Sequence, residues 1–185
     1  FSTGRGGGTH RFRRSYLHFD VSAITGAVSS LTLNITGTNP TTSDVIVLKS
    51  TAFGGDGGTA LSATDYFTNV DFSTPYSSEV TSWSNLTNTI TLNSTAESDI
   101  QSNDDFIIAL VNHNNDFSNS AATSTTTQDS GLNLSSLPEA NISFTESAAS
   151  AGPANLTSFN SIAKASITNI NGITMANITT LNGIS

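Results

Sequence analysis

Apolar and polar residues alternate with a period of two in several short stretches of this chain. Leu17 and Phe19 alternate with Tyr16 and His18, and Leu31, Leu33 and Ile35 alternate with Thr32, Asn34 and Thr36. That period is the mark of a strand with one wet face. Asp20, Ser22, Thr25 and Gly26 supply turn chemistry between the two runs, so residues 14–35 are expected to form a hairpin. Val45, Ile46, Val47 and Leu48 are continuously apolar, which predicts a strand covered on both faces. Residues 106–111 (FIIALV) are the most apolar run and are expected to form a central strand. Residues 89–92 (TITL) alternate again, and 142–144 are the closing strand candidate.

Between these runs the chain is polar. Phe72, Tyr76, Val80 and Trp83 are scattered among Ser and Thr in residues 67–83, a pattern of short irregular strands ending at a sheet edge. Residues 98–105 read as a polar turn, and 112–130 as a long polar loop ahead of Leu132, Leu134 and Leu137. Gly54, Gly55, Gly57 and Gly58 bracket Asp56 without the Lys-Ser or Lys-Thr ending or the following helix of a phosphate loop, so this segment is expected to be a mobile surface turn. Strands at this spacing, with turn signals and no helical period, predict an all-β fold for residues 1–146, an antiparallel, jelly-roll-like β-sandwich.

After Glu146 the pattern changes. Residues 147–153 are small and include Gly and Pro, as in a linker. In residues 154–185 a unit recurs every eleven residues: Phe159-Asn160-Ser161-Ile162, Ile170-Asn171-Gly172-Ile173, Leu181-Asn182-Gly183-Ile184. Such a period suits a right-handed helical supercoil, but Asn-Gly pairs and β-branched Ile and Thr favour short strands with tight turns. A unit this small cannot bury its own apolar face and must stack on neighbours or on other chains. The tail is therefore expected to be an oligomerisation or docking extension carried by Ile162, Ile167, Ile170, Ile173, Ile178, Leu181 and Ile184. The competing reading is a partly ordered linker.

Composition narrows the chemistry. The 185 residues are 36% hydrophobic and 11% charged, enough to build a core. A net charge of −8 argues against nucleic acid as a partner. Arg5, Arg11, Arg13 and Arg14 form a local basic run; Arg13 and Arg14 are expected on a solvated strand face, with an arm docking on an acidic or glycan partner as the alternative. The absence of cysteine excludes disulfides, thiolate catalysis and Cys-type zinc sites. No apolar run approaches the roughly 20 residues of a membrane-spanning helix, so no membrane insertion is expected, and no signal-peptide pattern is visible.

Candidate sites are sparse. His10, His18 and His113 are not spaced as metal pairs, no Gly-x-Ser-x-Gly elbow exists, and Glu79, Glu97, Glu139 and Glu146 are scattered. A non-enzyme without a cofactor is expected, with a polysaccharide-degrading enzyme the least favoured reading. Asp104, Asp105 and Asp116, at the two ends of the 106–111 strand, offer hard oxygens for calcium, although Asn and Asp clusters also serve as ordinary turn formers. Tyr66, Tyr76 and Trp83 are the candidates for an aromatic platform on which sugar faces stack, against a reading of Trp83 as core.

Residues 14–35 also carry a resemblance. Arg14, Leu17, Phe19, Asp20, Val21 and Ile24, then Val28, Leu31 and Leu33, resemble the Arg-x-x-Leu-x-Phe-Asp strand and following strand of DNRLRE-type β-sandwich domains. The likeness spans roughly residues 5–145; of the family's Trp-rich middle and late Asp-Val-Thr strand, only Trp83 and residues 79–82 are similar. Such domains occur in secreted bacterial surface proteins and phage virion proteins. The Ile-Asn-Gly-Ile tail is similar to repeats in virion proteins of marine and cyanobacterial phages. The resemblance implies a phage virion structural protein, a tail-fibre, spike or capsid-decoration module in the extracellular particle. Its expected partners are copies of itself, a trimer foremost, and other virion proteins. The alternative it implies is a carbohydrate-binding adhesive module of a bacterial surface or secreted protein, bound to a host-surface glycan.

Overall fold

The computed structural model describes residues 2–6, 9–36, 44–84, 86–121, 129–130 and 140–147, and in the tail 158–159, 162–163, 169–170 and 173–174. The fold is built mainly of antiparallel sheet. The first strands, β1 (Ser2–Gly6) and β2 (Thr9–Arg13), pair with each other. The body follows with β3 (Ser15–Asp20), β4 (Ala27–Thr36), β5 (Val45–Ser50), β6 (Val70–Pro75), β7 (Thr87–Thr91) and β8 (Asp105–Asn112). The strand β9 (Asp129–Ser130) lies along β1, and β10 (Ala140–Ser147) closes the body. One four-stranded sheet has the order β3-β8-β5-β6 and one three-stranded sheet the order β10-β4-β7.

Both sheets feed one apolar core. Leu31, Leu33, Ile35 and Ile90 enter it from the three-stranded sheet, and Val45, Val47, Phe106, Ile108 and Leu110 from the four-stranded sheet. Alternation in β4 places Leu31, Leu33 and Ile35 fully inside while Ser29 and Ser30 stay exposed. Each fully buried aliphatic side chain contributes roughly 1.5–3 kcal/mol relative to exposure. The continuously apolar strands are covered twice over, as their pattern predicts. Ile46, Leu48, Ala109 and Val111 form a second cluster on the other face of the four-stranded sheet, against Tyr16, Val70 and Phe117.

Three expectations are corrected. The runs around Leu17 and Leu33 do form strands, but they are not a hairpin: β3 pairs with β8, and β4 pairs with β7. The turn residues between them carry the chain from one sheet to the other, so both apolar faces meet in the same core. The glycine segment leads into a helix, α1 (Ala63–Thr68), started by a reciprocal cap in which Ser62 accepts from Asp65 N–H and Asp65 accepts from Ser62 N–H. Gly57, in the left-handed region at φ 73°, lies so close to the His18 ring that a Cβ would stand 2.2 Å from it. The turn expected over residues 98–105 is occupied by a second helix, α2 (Ser94–Ser102), capped by Asn93, whose side chain accepts from Thr95 and Ala96 N–H at 3.1 Å. Only Ala96 and Ile100, four residues apart, are buried from it, so its apolar stripe is too thin to register as a period. The polar stretch after β8 opens with a single π turn, His113–Phe117, capped by the buried Asn112.

A second unit comprises Thr25–Ala27 and Glu146–Ser185. Within it Glu146 accepts from the N–H groups of Thr25 and Gly26 at 2.8 and 2.6 Å, and these bonds hold its carboxyl below the ordinary range. Two short antiparallel pairs follow, β11 (Ser158–Phe159) with β12 (Ile162–Ala163) and β13 (Asn169–Ile170) with β14 (Ile173–Thr174). Ile167, Ile178, Leu181 and Ile184 lie outside the described residues, as do Leu132, Leu134 and Leu137.

Candidate functional site

The outer face of the four-stranded sheet is organised around Arg14. Arg14 Nε and Nη2 each donate to Asp116 at 2.7 Å, a bidentate pair whose side chains are only 10% and 6% exposed. Arg14 also donates to the Tyr66 carbonyl, and its guanidinium lies over the rings of Tyr66 at 4.2 Å and Phe72 at 4.9 Å. The stack continues through Phe117, 6.4 Å from Phe72, to His113, 5.4 Å further on, which pairs with Glu79 at 2.7 Å. Burial disfavours the Arg14 charge, but Asp116 outweighs it and raises the guanidinium pKa. Arg14 is therefore a pin joining α1, β6 and the π turn, and not the solvated residue its neighbourhood suggested. Its exposed margin holds Phe67, edge-on to Tyr66 at 5.1 Å.

The sequence-derived aromatic platform does not assemble. Tyr76 is 1% exposed, stacks on Phe106 at 5.5 Å and donates its hydroxyl to Asp99, which also accepts from Lys49 at 2.7 Å. Burial, followed by the Asp99 contact, pushes the Tyr76 phenol far above its usual pKa. Trp83 packs against the main core, whereas Tyr66 belongs to the Arg14 stack and donates to the Phe12 carbonyl at 3.2 Å. A ring sealed in the core offers no face to a sugar.

The calcium candidates are likewise dispersed. Asp116 is taken by Arg14, and Asp105 by His18 at 2.7 Å. Asp105 opens β8 and Asp116 follows its end, so roughly 25 Å of strand separates them at about 3.3 Å per residue. Among the described residues no group of three or more His, Cys, Asp or Glu side chains converges on a metal position.

What the structure does form is a groove of about 430 Å³ between residues 77–82 and 89–93. One wall belongs to the four-stranded sheet, because Val80 exchanges backbone hydrogen bonds with Val45 at 2.7 and 3.0 Å. The opposite wall is β7, which among the described residues has β4 as its only sheet neighbour. At one end Asn93 N–H donates to the Tyr76 carbonyl at 2.8 Å and closes the groove. Val80, Ile90 and Leu92 line it and reach the core beneath, while Ser and Thr form the rim. The TITL alternation announced a strand here. Nothing local announced that β4 would be its one neighbour among the described strands.

No protein-family model, curated protein or solved structure matches this chain.

Proposed function

We propose that this chain is a non-enzymatic structural component of a virion, a tail-fibre, spike or capsid-decoration module. In this reading residues 1–146 form a jelly-roll-like sandwich displayed outward, and the C-terminal repeats join copies to one another and to other virion proteins. The observation that carries it is the eleven-residue repeat. Its described pieces are two-residue strand pairs, Phe159 opposite Ile162 and Ile170 opposite Ile173, recurring at that same interval. Units of this size gain stability only by stacking, which is the property of an assembly element and not of a catalytic one.

Sedimentation equilibrium of the full chain tests it, with a trimer expected. Ile170→Asp combined with Ile173→Asp should return the protein to a monomer while leaving its far-ultraviolet circular dichroism unchanged. A wild-type chain that stays monomeric at every concentration tested would remove the assembly role, and mass spectrometry of purified particles lacking the chain would remove the virion assignment.

A further inference from the structure

The β7 groove has the features of a receptor for a single extended strand. Leu92 N–H donates to the Leu31 carbonyl at 2.9 Å, and the register continues Thr91↔Thr32, Ile90↔Leu33, Thr89↔Asn34. In an antiparallel ladder opposite residues alternate between bonded and non-bonded pairs, so the backbone groups of Ile90 face β4 while those of Thr89 and Thr91 face away from it, into the groove. An edge that presents such groups is a template for another strand. Residues 77–82 form the second wall, and the apolar lining of Val80, Ile90 and Leu92 suits an aliphatic side chain on alternate residues.

Charge selects the occupant. Lys164 is the only charged residue of the 154–185 tail, so the preceding residues hold five cations against all 14 acidic residues. Two acidic bodies repel each other, whereas a weakly cationic tail rich in Ile and Thr approaches either body without that cost and carries the β-branched residues a groove strand requires. We infer that an extended segment of the repeat tail of a second copy adds to the side of β7 on which no described strand pairs and seats an isoleucine between Val80 and Leu92. This rests on the assembly role proposed above and names the surface through which it acts.

The chain has no cysteine, which makes crosslinking unambiguous. Chains carrying Ser82→Cys are mixed with chains carrying Thr168→Cys or Thr179→Cys, and mild oxidation should give a disulfide-linked heterodimer. Thr91→Pro removes an edge N–H without disturbing the β4 ladder and should cut the yield by about tenfold. Thr89→Trp, which fills the groove mouth from an exposed position, should do the same in a fold checked by thermal melting. If the protein assembles but no heterodimer forms and both blockers leave assembly intact, the groove is not the receptor while the assembly role survives. If it is monomeric, both fail. A linkage formed only within chains carrying both cysteines would assign the groove to the chain's own tail and overturn the inference.

Discussion

The two sheets that share the core treat their outer faces in opposite ways. The four-stranded sheet is covered on both sides, with Ile46, Leu48, Ala109 and Val111 closed over by Tyr16, Val70 and Phe117 beneath the Arg14 stack. The three-stranded sheet leaves a wet outer face of short polar side chains. There Asn34 donates to Asn141 at 3.2 Å and to Ser143 at 2.9 Å, Thr89 donates to Asn34 at 2.9 Å, and Thr36 meets Thr87 at 2.9 Å. One sheet is therefore closed over on both faces, while in the other, among the described residues, β7 has a strand on one side only. Covering both faces of a sheet withdraws those faces from contact, while an edge strand offers its outward backbone groups to a partner strand.

The largest effect expected from this contrast is at Leu110, fully buried in β8. Leu110→Ala should cost about 4 kcal/mol in urea unfolding, from lost transfer energy plus the cavity. Thr89→Ala on the exposed face should stay within about 0.5 kcal/mol. Comparable losses at the two positions would erase the distinction between the sheets.

Next comes the pin. Asp116→Ala leaves Arg14 buried without its carboxylate and should cost about 3 kcal/mol, while the double replacement Arg14→Met with Asp116→Leu should recover most of it. A loss no larger than that of a surface ion pair would mean that the stack does not hold the outer face shut.

The smallest effect is spectroscopic. All three tyrosines have pKa values raised above the ordinary 10.0, by burial in each case and by Asp99 also at Tyr76. Their folded-state preference for the protonated phenol is fully present below pH 10.0 and is lost as the pH rises through the raised values, because the unfolded chain ionises first. Phenolate absorbance of the native protein should therefore begin at higher pH than in urea, and Tyr76→Phe should flatten the fall in stability above that point. Native phenols that titrate together with the unfolded ones would place them in solvent.

Several parts of this architecture were legible from local pattern. The four-residue run at Val45 announced a doubly covered strand and the six-residue run at Phe106 a central one, because a residue without a wet face has no reason to be polar. Alternation around Leu33 identified its inner face. Helices α1 and α2 were missed because caps such as Ser62 with Asp65, and Asn93, resemble turn residues when read alone. The platform of Tyr66, Tyr76 and Trp83 failed for a related reason: the three rings differ in burial, and composition does not encode burial.

What the sequence determines by itself is short-range: which residues extend, which face of each strand is apolar, and the eleven-residue interval of the tail. These follow from the chemistry of neighbours in the chain. Only the tertiary structure decides which strands become neighbours, since the 84 residues between the paired Asp20 and Asp105 contribute nothing local to that choice. It also decides that Arg14 is a buried pin and that β7 borders β4 alone among the described strands. Both depend on partners distant in sequence, Asp116 in one case and β4 in the other, which packing brings together.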